Sequence, residues 1–125
     1  MLLVTNNPLV ARSKIKIPLE FLKEDHGQLL LKVKRYIIEE QMVLLTHPLS
    51  SSIKPNETYY KSIVLGGGGE VIDITSLDYI EQAIQVYQRF MADKPRPNWT
   101  EAVLQDFAYV DYYVMVSTVE RMGIR

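Results

Sequence analysis

Asp25-His26-Gly27-Gln28-Leu29-Leu30-Leu31-Lys32-Val33-Lys34-Arg35-Tyr36-Ile37-Ile38-Glu39-Glu40-Gln41-Met42-Val43-Leu44-Leu45-Thr46 sets a helix directly before a strand. Asp25 with Gln28 three residues on is a helix-start pair, the carboxylate accepting from the first unpaired backbone N–H groups. Leu29, Leu30, Val33, Tyr36 and Ile37 recur at helical spacing, while Lys32, Lys34, Arg35, Glu39 and Glu40 fall mostly elsewhere. A helix over about 26–41 follows. The run 42–46 has no polar alternation and ends at His47-Pro48, as a strand covered on both faces does. Upstream, the apolar stretch 15–22 is broken by Pro18, which leaves Leu19–Leu22 as a strand. Strand, helix, strand with short connections is a βαβ unit, whose strands are expected parallel with a right-handed crossover.

Outward from this unit, Leu2-Leu3-Val4-Thr5 reads as a short buried strand that stops at Asn6-Asn7-Pro8. Ser62-Ile63-Val64-Leu65 reads as another, stopped by Gly66–Gly69. The last third is helical. Thr75 or Ser76 caps a helix with Leu77, Ile80, Ala83, Ile84, Tyr87 and Met91 on one stripe. Pro95 and Pro97 break it, and Asn98 with Glu101 restarts a helix running to about Met122 before Gly123. The expected fold is α/β: a three-layer, Rossmann-like domain spanning 1–125, with a small, mostly parallel sheet and two C-terminal helices.

The chain has 125 residues, enough for one domain. Its 14 basic and 15 acidic side chains leave a net charge of −1, so no overall pull on nucleic acid or anionic lipid is expected. The charge is nonetheless uneven: residues 1–62 carry 9 basic and 6 acidic side chains, and residues 63–125 carry 5 and 9. There is no cysteine, which excludes disulfides, thiolate metal sites and cysteine nucleophiles. No stretch approaches the roughly 20 apolar residues that cross a bilayer, and no basic-plus-apolar leader opens the chain, so the expected location is the cytoplasm. Two histidines without His-x-x-x-His spacing argue against a metal site, and no cofactor motif is present. Gly66–Gly69 fails as a phosphate loop, because Val71 stands where a third glycine belongs and Glu70 would repel the phosphate.

In open α/β sheets ligands bind beyond the carboxyl ends of strands. Two polar loops fit that rule, Thr5-Asn6-Asn7 and the stretch from Thr46 to Lys61, provided their strands bring them to one rim. Thr5, Asn6, Asn7, Thr46, Ser50, Ser51 and Ser52 offer neutral hydrogen bonds, while His47, Lys54 and Lys61 supply positive charge. Asn56 and Glu57 complete the candidate set. The mixture suits a small anion such as a carboxylate or phosphate. The plainer alternative is that these residues are turn-formers. A rival reading makes His47 a general base, charged or oriented by Glu57, with Asn6 or Asn7 stabilising developing negative charge. His26 reads as a solvated residue at a helix start. Asp106 and Asp111, five apart, do not share a helical face, and either could satisfy a tyrosine hydroxyl.

The final helix is apolar nearly all round, with Tyr109, Tyr112, Tyr113 and Val116 forming a face of their own. A domain this size can hardly cover such a helix alone, and tyrosine is enriched at interfaces. Homo-oligomerisation through this face is one expectation, a purely structural subunit its extreme form, and a core helix with tyrosines at its rim the plainer alternative.

Two segments resemble the GrdX family: Thr5-Asn6-Asn7-Pro8-Leu9-Val10, and Leu45-Thr46-His47-Pro48-Leu49-Ser50 continuing through Ile53-Lys54-Pro55-Asn56-Glu57-Thr58 to Tyr60-Lys61-Ser62-Ile63. The resemblance covers most of the chain, and the longer segment is the more specific. It implies a small cytosolic accessory protein, encoded beside glycine, sarcosine and betaine reductase genes of anaerobic bacteria. A reductase-complex protein is then an implied partner. It implies no defined activity, and it highlights the same two loops.

Overall fold

Alternation along the first strand divides the molecule into layers. In the computed structural model, which describes residues 1–50 and 53–123, β1 is Leu2–Thr5, and Leu3 and Val4 are both fully buried on opposite faces of the sheet. After β1 come α1 (Pro8–Ala11), β2 (Leu19–Phe21), α2 (His26–Glu39), β3 (Val43–Leu44), β4 (Ser62–Gly66), α3 (Ile74–Asp93) and α4 (Glu101–Arg121). Val4, Ile63 and Leu65 face α2 and α3 together with Leu29, Leu30, Val33, Ile37, Ile80 and Ala83. Leu3 and Val64 face the other way, packing with Val10, Ile17, Met115 and Val119 against α1 and α4. Each such side chain, fully buried, contributes about 1.5–3 kcal/mol of transfer free energy.

The sheet order is β2-β1-β4-β3. β1 pairs with β2 in parallel, but β4 pairs antiparallel with both β1 and β3. The expected mostly parallel, Rossmann-like sheet is therefore corrected to a mixed one in which two of three pairings are antiparallel. The cause lies in residues 45–61. Among their described residues there is no crossing helix, and a helix-free return delivers the next strand antiparallel. β2 and β3 do run in the same direction, as the βαβ reading expects, but at opposite edges, so α2 crosses over β1 and β4. β3 is an edge strand of two half-buried residues rather than a covered strand of five. Beyond it the Leu45 N–H still donates to the Val64 carbonyl at 2.9 Å, and the Thr46 hydroxyl accepts from the Val64 N–H at 3.1 Å, ending the ladder with a side chain.

The helix starts follow from short polar side chains. Asp25 caps α2, accepting from the Gln28 N–H at 2.9 Å. α3 begins earlier than expected because Asp73, not Thr75 or Ser76, is the cap. Ser76 is instead buried, donating to Asp73 at 2.6 Å and accepting from the Leu44 N–H at 2.9 Å. Thr100 rather than Asn98 caps α4. α1 is an unexpected single turn, opened by Asn7 as cap with Pro8 following it. Among the described residues no helix is long and apolar enough to cross a membrane.

Candidate functional site

The antiparallel β4 carries the far end of the 45–61 loop back to the rim where β1 ends. Thr5 pairs with Ser62 in register, and their hydroxyls lie 2.7 Å apart. The next residue, Asn6, is 3% exposed and clamps three backbones. Its Oδ1 accepts from the Lys61 N–H at 2.8 Å, and its Nδ2 donates to the carbonyls of Tyr59 (2.8 Å) and Glu24 (3.0 Å). Asn7, fully buried, accepts from the Leu9 N–H at 3.0 Å through Oδ1. Its Nδ2 donates to the Ala108 carbonyl at 2.8 Å and to Asp111 Oδ2 at 3.0 Å. The two polar loops thus meet. Thr5, Asn6 and Asn7 direct these hydrogen bonds to the protein itself, and so hold the site's wall in place.

In front of that wall is a cavity of about 250 Å³ between the 48–61 loop, α3 and α4. Its sides are apolar: Leu49, Ile53 and Pro55 from the loop, Val86 and Phe90 from α3, Phe107 and Val110 from α4. Its polar groups are few and concentrated, chiefly His26, Lys61 and Asp111, with Lys54 at the exposed edge. An apolar pocket with a small number of convergent polar side chains is the general form of a small-molecule site.

Each of the three has its pKa shifted by burial. His26 is 4% exposed. Its Nδ1 lies 3.3 Å from the Thr58 carbonyl, and its Nε2 has no hydrogen-bond partner among the described residues. Burial above all, helped by the positive charges of Lys61 and Arg96 and opposed by the Thr58 hydrogen bond, pushes its pKa down to about 3. The ring packs on Tyr87 with centroids 5.4 Å apart. Lys61 is 5% exposed, and burial lowers its pKa against the pull of Asp111. Burial also raises the Asp111 pKa, against the hydrogen bonds from Asn7 and Ser62 and the attraction of Lys61. The Ser62 hydroxyl donates to Asp111 Oδ2 at 2.7 Å. Perturbed titratable groups gathered in a cleft mark a candidate functional site.

The remaining predicted residues are dispersed. His47 is exposed; its Nδ1 accepts from the Leu49 N–H at 3.0 Å, and its ring lies 4.9 Å from that of Tyr79. Among the described residues no hydrogen bond joins His47 to Asn6, Asn7, Glu57 or a lysine, so the geometry sought for a general base is not assembled there. Thr46 ends the β3–β4 ladder, and Ser50 is exposed. Asn56 is buried and donates to the Lys94 carbonyl at 2.7 Å, tying the loop to the end of α3. The Glu57 carbonyl accepts from Trp99 Nε1 at 2.7 Å. Ser51 and Ser52 lie outside the described residues. In the Gly66–Gly69 run, a Cβ on Gly68 would run into the Glu40 carbonyl. Among the described residues no three His, Asp or Glu side chains are grouped to hold a metal ion.

Two residues of the cavity escape the sequence reading. His26 is no solvated residue, and Asp111 bonds Asn7 and Ser62 rather than a tyrosine. A signal existed for both. Position 26 extends the buried stripe 29, 30, 33, 37 backward by one turn, and Asp111 interrupts an apolar face containing Phe107 and Ala108. A polar residue set in an apolar stripe needs a partner or a purpose.

A family model described as GrdX-like protein matches residues 2–120. No curated protein and no solved structure matches the chain.

Proposed function

We propose a function for a chain that belongs to the GrdX-like protein family: it is a small accessory protein that binds a small anionic metabolite in the cavity walled by the 48–61 loop, α3 and α4. The observation that carries this reading is Lys61, a cation buried to 5% exposure that lines an apolar cavity of about 250 Å³. A buried ammonium needs a counter-charge; Asp111 attracts Lys61, but among the described residues the two form no direct ion pair. An incoming carboxylate or phosphate gives Lys61 a second, charge-assisted partner. The earlier resemblance supports a cytoplasmic role beside glycine, sarcosine and betaine reduction, with a reductase-complex protein as the one served. Calorimetry against glycine, acetyl phosphate, inorganic phosphate and nucleotides tests the reading. One of these compounds is expected to give heat through its carboxylate or phosphate, and Lys61→Met is expected to weaken its binding by roughly 10- to 100-fold, the worth of one charge-assisted hydrogen bond. No heat from any of them, with the fold intact by circular dichroism, overturns it.

A second reading concerns assembly. On α4, Tyr109 is 50% exposed, Val110 40% and Tyr113 66%. The rings of Tyr109 and Tyr113 are stacked, with centroids 6.2 Å apart. Rigid apolar area of this kind favours a homo-oligomer through α4, with Tyr112 and Val116 at its border.

A further inference from the structure

We infer that the cavity selects a small carboxylic acid carrying a hydroxyl on the carbon beside the carboxylate, its O–H donating to His26 Nε2 while its carboxylate meets Lys61. The inference rests on the cavity being a binding site and goes further, to the chemistry of what fills it.

The argument starts at the other ring nitrogen. A backbone carbonyl can only accept, so His26 Nδ1, 3.3 Å from the Thr58 oxygen, carries the hydrogen. A second hydrogen on Nε2 would put a positive ring beside the Lys61 ammonium at the edge of an apolar pocket, which burial and repulsion both oppose. The imidazole is therefore neutral with one fixed tautomer, and Nε2 presents a bare lone pair. No donor among the described residues reaches it. A buried acceptor left this way is costly, and folded proteins rarely keep one unless something else meets it.

Lys61 and His26 then ask for opposite things. The ammonium has only donors to offer and wants an acceptor; the imidazole nitrogen wants a donor. A plain carboxylate satisfies the first and fails the second, because both of its oxygens are acceptors and would face the Nε2 lone pair. An adjacent hydroxyl supplies the missing hydrogen without adding a second positive charge beside Lys61. The walls limit the rest of the ligand. Val86, Phe90 and Phe107 suit a short apolar body and offer nothing to the several charged oxygens of a phosphate. Asp111 beside Lys61 likewise disfavours a dianion.

The test compares lactate, alanine and propionate, which share a carbon skeleton and differ at one substituent. Calorimetry on the full chain is expected to give lactate at least 10-fold tighter binding than propionate, with alanine, whose ammonium would lie beside Lys61, no tighter than propionate. His26→Phe is expected to reduce that preference to within about twofold. Histidine ¹⁵N NMR on the unaltered protein provides a readout independent of whether His26→Phe folds: the Nε2 resonance should move on adding the preferred acid and stay put with propionate. Equal affinity for all three acids, still weakened by Lys61→Met, overturns the donor requirement and leaves the anion site standing. Binding of phosphate or a nucleotide but of none of the three acids overturns the carboxylic acid as ligand and spares the anion reading. No binding of any anion overturns both.

Discussion

His26 is buried without its charge, and this ties folding to acidity. In the unfolded chain it titrates near 6.5, in the folded one near 3. Between those values the unfolded state holds the extra proton. Stability is therefore complete above about pH 6.5 and is lost as the pH falls toward 3, by on the order of 1 kcal/mol per pH unit. Asp111 works in the opposite sense, since its raised pKa lets the folded state take a proton first. The clean comparison is thus between the parent chain and His26→Phe. Urea unfolding at pH 7 and pH 5 is expected to show the parent losing about 2 kcal/mol more than the variant over that interval; equal losses would contradict the buried neutral ring. This residue also shows why the site was only half legible. Lys54 and Lys61 were found because a basic side chain in a polar loop stands out. His26 and Asp111 sit on helices, where position along the chain says little about which apolar face turns toward a cavity. The asparagines were singled out as ligand donors, and in the folded chain their amides hydrogen-bond the protein itself: the same amide that would greet a ligand serves equally well to clamp a backbone.

At the scale of elements, the start of α2 was readable because capping is local chemistry, while α3 and α4 are capped by Asp73 and Thr100, a few residues from the expected caps. Asp25 and Gln28 announce α2 without reference to anything distant. The sheet order was not readable, since it depends on whether residues 45–61 cross over the sheet or fold back along its rim, and no local residue records that choice. The glycine run after β4 belongs to the same class. Its composition suggests a loose turn, yet Gly68 is pressed against the end of α2, and the Gly69 N–H donates to the Gln41 carbonyl at 3.2 Å. Gln41 itself holds a φ of 51°, in the left-handed region, to turn the chain from α2 into β3. Gly68→Ala must push that turn aside and is expected to destabilise by about 1–3 kcal/mol. Gly67→Ala, with open space around it, should be close to neutral. Chemical denaturation of the two variants side by side checks this, and equal stability would mean the contact is easily relieved.

For the molecule as a whole, the open question of surface is the outer side of α4. Sedimentation at micromolar concentration is expected to show a dimer that Tyr113→Glu shifts to monomer; a parent chain that sediments as a monomer throughout removes the assembly reading and leaves the tyrosines as an ordinary wet rim. The layers themselves are closed by contacts between remote parts of the chain, and one of these has a consequence in time. Asn7 waits for Asp111, 104 residues later. On a ribosome adding roughly 5–20 residues per second, that interval is some 5–20 seconds. Until it ends, the amide at the start of the chain has no carboxylate to hold, and the nascent polypeptide has no pocket to offer. Any metabolite this protein recognises can meet only a chain synthesised past Asp111.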